Sequence, residues 1–148
     1  IYFLFLFISG CGYTSLYKNN DIKDTSLNFD IIETTGDSDI NKNIVINLKH
    51  YSDKNLTKII PVKINSNYSK SSISKDKTGK TSAYAIVVTT NFNLIKKDKD
   101  SKKITIMEKI NINNFDDVFE LKSYELKIKK DISRSIVRQF VEKVHVIE

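Results

Sequence analysis

A chain of 148 residues holds one ordinary domain and excludes a tandem of full-sized ones. With 40% hydrophobic and 28% charged residues it is globular rather than disordered, and four glycines with one proline exclude collagen-like and proline-rich architectures. A net charge of +6 suits an anionic partner such as nucleic acid, membrane headgroups or a phosphorylated glycolipid, but two arginines and lysines scattered among 18 acids argue against the first of these.

In chain order, the first segment reads as a targeting signal. Ile1 to Ile8 is an uninterrupted apolar run followed by Ser9, Gly10 and Cys11. It is too short to cross a bilayer and matches the end of a signal-peptide hydrophobic region with a small-residue cleavage site. With no initiator Met or basic leader ahead of it, residues 1–10 are expected to be a truncated lipoprotein signal peptide. The position of the sole cysteine resembles the lipobox of bacterial lipoproteins. That resemblance implies cleavage after Gly10 and a covalent diacylglycerol and N-acyl lipid on Cys11, several chains being what firm anchoring requires. Gly12 rather than an acid after it is compatible with sorting to the outer membrane. The plainer alternative is a buried free cysteine after a hydrophobic strand.

Thr14 to Thr25 are polar and aperiodic, and residues 11–26 are expected to be a lipid-anchored tether to a single domain over 27–148. Leu27, Phe29 and Ile31 alternate with polar residues, predicting a first strand over Leu27–Glu33. Gly36 to Asp39 mark a turn and helix cap. Ile40, Ile44, Leu48 and Tyr51 then recur at helical spacing, predicting a helix over Ile40–Asn55. Pro61 favours a strand start over a strand interior, so a second strand is expected from there through Val62, Ile64 and Ile73. Lys77 to Lys80 form a turn. Tyr84, Ile86, Val88, Thr90, Phe92 and Leu94 alternate along a third strand that has small or β-branched residues on its other side. The run Lys96–Lys103 is a solvated connection, and Ile104, Ile106, Ile110 and Ile112 give a fourth strand over Ile104–Asn113.

The strongest helical signal is last. Leu121, Tyr124, Ile128, Ile132, Ile136, Phe140 and Val144 form one stripe, while Lys127, Lys130, Arg134, Arg138 and Glu142 lie opposite. These elements predict an α/β (α+β) sandwich, a four-stranded mixed sheet with two helices packed on one side. The other side is left for a partner.

Catalytic chemistry finds little support, and the chain is not expected to be an enzyme. His50 and His145 lie in separate helices without further ligands or an oriented nucleophile, and are expected on helix surfaces. Asp116 and Asp117 read as a solvated turn or helix cap; an anchored hydrolase using this pair is the enzyme alternative. Gly79 lacks the spacing of a phosphate loop and is a turn. No metal or cofactor is expected beyond the Cys11 lipid. Lys70, Lys75, Lys77 and Lys80 gather around the second-to-third-strand connection and are the candidates for phosphate contact, with simple solubility as the alternative. The Lys96, Lys97, Lys99, Lys102 and Lys103 group, interrupted by Asp98 and Asp100, is expected to serve solubility.

Cys11, Gly12, Tyr13, Thr14, Ser15, Leu16 and Tyr17 resemble the post-cleavage motif of the LPS-assembly lipoprotein LptE family, especially its alphaproteobacterial members. The remaining likeness is one of layout across the mature chain. A helix carries Asn41 and Leu48, three strands include the Ala83–Tyr84 segment, and the terminal helix carries Ser133, Ser135, Ile136 and Gln139. The sequence departs from the family in its Lys/Asn/Ile bias, in the absence of arginine from the first hairpin turn and in a more acidic second one. The resemblance implies an LptE-like outer-membrane lipoprotein on the periplasmic side. There it would plug and help assemble the LptD β-barrel translocon that delivers lipopolysaccharide, with possible lipopolysaccharide contacts at Lys70, Lys75, Lys77 and Lys80. The alternative from the same anchor is another periplasmic lipoprotein, an auxiliary or scaffold subunit of a different envelope transporter.

Overall fold

Strand and helix periods separate cleanly along this chain, and the computed structural model, which describes residues 27–53, 55, 59–95 and 101–147, follows them. The order is β1 (Asn28–Gly36), α1 (Ser38–His50), β2 (Ile59–Lys75), β3 (Thr81–Ile95), β4 (Ser101–Asn113) and α2 (Val118–Ile147). The strands lie in the order β1-β2-β3-β4. β1 and β2 are parallel and linked through α1, while the β2/β3 and β3/β4 pairs are antiparallel. The result is the expected four-stranded mixed sheet with two helices.

Because side chains alternate across a strand, Val62, Ile64, Ile86, Val88, Phe92, Leu94, Ile104 and Ile106 share one face. There they join Ile40, Ile44 and Leu48 of α1 and Ile128, Ile132, Ile136, Phe140 and Val144 of α2 in one buried cluster. Phe140 stacks on Phe92 with ring centroids 3.9 Å apart and lies 5.4 Å from Phe29, so one aromatic of α2 bridges β1 and β3. Each such fully buried side chain contributes roughly 1.5–3 kcal/mol relative to exposure. The stripe opposite, Lys127, Lys130, Arg134, Arg138 and Glu142, is exposed, as its spacing predicts.

Several boundaries differ from the sequence expectation, each for a tertiary reason. β1 runs on past Glu33 to Gly36 after a register shift between Ile31 and Glu33. It ends where Gly36 takes φ 92°; a Cβ there would sit 1.9 Å from the Ser66 carbonyl oxygen, so only glycine permits this approach. Asp37 then caps α1, its Oδ1 accepting from the Ile40 backbone N–H at 2.9 Å. α1 stops at His50 rather than Asn55 because the chain turns back onto β1. Ser52 Oγ accepts from the Phe29 N–H at 2.9 Å, and the Asp53 N–H donates to the Leu27 carbonyl at 2.9 Å. β2 begins at Ile59, so Pro61 lies inside it rather than at its start. Pro61 sits opposite Asp30 of β1, and the described ladder with β3 begins only at Val62, which spares its missing N–H.

Candidate partner-binding surface

α2 is fastened to the sheet by a half-buried chain of charges. Lys70 of β2 pairs with Glu125 of α2 and lies 4.2 Å above the Tyr84 ring. The Tyr68 hydroxyl donates to Glu125 at 3.5 Å, and burial together with the Glu125 charge pushes that phenol up to about 12. Lys129 sits 4.6 Å over the Tyr68 ring and reaches Asp37 at 2.9 Å and Asp39 at 3.0 Å. Burial works to raise the Asp37 carboxyl, but the Ile40 N–H and the Lys129 ammonium outweigh it and hold the group below its usual range. Burial likewise opposes the charge on Lys129, and the two aspartates more than restore it, leaving its pKa raised. The arrangement ties the α1 cap, α2 and the β2/β3 ribbon together.

The four-lysine cluster is therefore split. Lys70 is turned under α2 and engaged by Glu125. Lys75, Lys77 and Lys80 remain exposed at the hairpin turn. Asp76 organises that turn, its Oδ1 accepting from the Thr78 and Lys80 N–H groups at 2.8 and 3.0 Å, with Gly79 at φ 83°. Lys80 reaches Asp116 at 2.6 Å, an exposed pair, and this contact raises the lysine and lowers the carboxyl. Asp117 accepts from the Phe119 N–H at 2.6 Å and so caps α2. The Asp116–Asp117 pair is thus a turn and cap, and the exposed Val118 and Phe119 stand beside the basic turn. Cys11, Lys96, Lys97, Lys99, Asp98 and Asp100 lie outside the described residues.

The face of the sheet away from the helices is laid with short polar side chains. Across the ladders, Asn65 aligns with Asn91 and Thr105, Asn67 with Thr89 and Met107, and Ser71 with Ala85 and Asn111. Asn65 donates to Thr35 Oγ1 at 2.6 Å, and Thr105 donates to Asn91 Oδ1 at 2.7 Å. Charge is sparse and partly matched, Lys63 pairing with Glu33 at 2.8 Å. A shallow hollow of about 340 Å³ opens here, lined by Glu33, Lys63, Asn65, Asn91, Asn93 and Lys103. Met107 protrudes from this face, 65% exposed, and Ile59 and Ile95 at the ends of β2 and β3 are exposed on it as well.

His50 and His145 are exposed on their helices. Among the described residues no three His, Cys, Asp or Glu side chains converge as a metal site would need. No described helix is long and apolar enough to cross a membrane. Sequence reading passed over Glu108, which β4 directs to the helix side, where Ser135 Oγ donates to it at 2.7 Å and Gln139 donates as well. The signal was present in the parity of position 108 with Ile106 and Ile110, an acid in an otherwise apolar row.

The chain matches no family model, and no curated protein matches its sequence. Solved structures do resemble it. A rare lipoprotein B from Shewanella oneidensis is similar over 80% of this chain and 100% of that one, with 9% identity and a TM-score of 0.55. A putative lipoprotein from Caulobacter crescentus covers 82% and 90% at 8% identity and a TM-score of 0.56. A lipoprotein B from Nitrosomonas europaea covers 81% and 85% at 16% identity and a TM-score of 0.52. The fold is thus one that solved bacterial lipoproteins share.

Proposed function

We propose that this chain is an LptE-like lipoprotein of the bacterial outer membrane, held on its periplasmic side by lipid on Cys11. Its domain would plug and help assemble an LptD-like β-barrel and contact lipopolysaccharide on its way to the surface. The observation that carries this reading is a fold shared with solved lipoproteins, preceded in the same chain by a lipobox-like cysteine. The polar face supports it further. The lumen of an outer-membrane barrel is polar, so a domain with one hydrated sheet face can rest against it without exposing apolar surface to water.

On this reading the two ends of the domain would take different tasks. β1 is parallel to β2, with Asn28 opposite Ile59, so the chain enters the domain at the end opposite the Asp76–Lys80 turn. A tether from the membrane would join one pole, leaving Lys75 and Lys77 at the other for phosphate groups, with Lys80 joining them where phosphate displaces its exposed pair with Asp116. Lys70, already held by Glu125, would serve chiefly to fasten α2.

Isolation from the native membrane tests this reading. The mature protein should carry the mass of an acylated Cys11 and recover a large outer-membrane barrel, whereas recovery of an inner-membrane transporter would favour the scaffold role. Replacing Lys75, Lys77 and Lys80 together by alanine should lower lipopolysaccharide crosslinking severalfold while leaving the barrel bound. Unchanged crosslinking would reject the lysine assignment.

A further inference from the structure

The two edges of the sheet are finished differently. A free edge strand presents unpaired N–H and C=O groups, and native proteins close such edges with bulges, covering groups or charge. On β1 all of this is done. The Phe29 N–H is taken by Ser52 Oγ, the Leu27 carbonyl by the Asp53 N–H, and the Thr35 carbonyl by Asn41 Nδ2 at 2.8 Å, with the register shift at Ile31/Glu33 between them. β4 has none of it. Its 13 residues pair with β3 from Ser101 to Asn113 without a shift, and no described group bonds to its outer backbone edge.

We infer that the outer edge of β4 is a strand-addition site for an extended, acid-bearing segment of a partner protein. The chemistry of the strand selects that occupant. Lys102, Lys103 and Lys109 stand along it, and none of them pairs with an acid among the described residues. The one acid of the strand, Glu108, is turned inward and occupied by Ser135 and Gln139. A second copy of this chain would bring three more lysines into the seam. A strand bearing Asp or Glu gains cross-strand ion pairs with them, while an apolar residue between its acids can cover Met107. Lys103 and Lys109 point to the same face six positions apart, which sets the spacing of the acids. This inference stands apart from the lipid-anchor reading, since it depends only on the edge.

The test uses the full chain and a synthetic ten-residue peptide of alternating Val and Thr with glutamates six positions apart, against a counterpart with lysines in their place. The glutamate peptide should bind at least tenfold more tightly by fluorescence anisotropy and slow amide exchange at alternate residues of 101–113, leaving 28–36 unchanged. Lys103→Glu with Lys109→Glu should reverse the preference between the peptides. Should that variant not fold, the wild-type preference and its loss at high salt carry the same test. Equal binding of the two peptides, no binding, protection on β1 instead, or a homodimer that protects β4 would each overturn the proposal.

Discussion

The two faces of the sheet are built from neighbouring residues of the same strands, yet they obey different rules. On the helix side Ile64, Ile86, Phe92 and Ile104 are nearly or fully inaccessible, and any change of shape is felt by Phe140 or Ile136 above them. On the other side Asn65, Asn67 and Asn111 are exposed, and the exposed bond from Asn65 to Thr35 is replaceable by water. One face therefore fixes the fold, and the other is free to be shaped by what it touches. Asparagine is disfavoured in strands, so a carpet of it is tolerated only because the helix face supplies the stability.

Substitutions should divide along that line. Phe140→Ala removes the ring that bridges β1 and β3, and should cost about 3–5 kcal/mol in urea unfolding. Gly36→Ala drives a Cβ into the Ser66 carbonyl and should cost about 3 kcal/mol, with the loss visible in exchange of the β1/β2 amides. Lys129→Met leaves Asp37 and Asp39 without their cation. It should cost about 2 kcal/mol, less than for a fully buried pair because Asp39 is half exposed. Its pH dependence has a definite sign. The depressed Asp37 contributes stability at and above the ordinary carboxylate value of about 3.9, and that contribution is lost as pH falls through its lower folded value. The raised Lys129 contributes below about 10.4 and loses its contribution as pH rises through its higher folded value. The gap between wild type and variant should therefore be flat between these limits and close outside them. Asn67→Lys, on the open face, should change stability by no more than about 0.5 kcal/mol while weakening partner capture.

How much of this was legible in the sequence depended on range. The α2 stripe and the β3 alternation are local periods, and both were read correctly down to the exposed Lys127, Lys130 and Arg134. The early end of α1 was not legible, because it is decided by Ser52 and Asp53 bonding to β1 more than twenty residues away in the chain. Pro61 misled for the same reason: whether a strand tolerates proline depends on which neighbour needs its N–H. Lys70 looked like one of four equivalent hairpin lysines, since nothing local indicates that Glu125, 55 positions on, would meet it. The turn at Gly79 and the caps Asp37 and Asp117 were readable because their chemistry is complete within four residues, although Asp76, which organises that turn, was not singled out.

The most direct measurement places a photoreactive side chain at Asn67, in the middle of the open face, and another at Lys130, on the outer side of α2, in the acylated protein in its native membrane. The account predicts that Asn67 crosslinks to a large outer-membrane barrel and Lys130 does so far less. A barrel adduct from Lys130 with none from Asn67, or no barrel adduct from either, would contradict it.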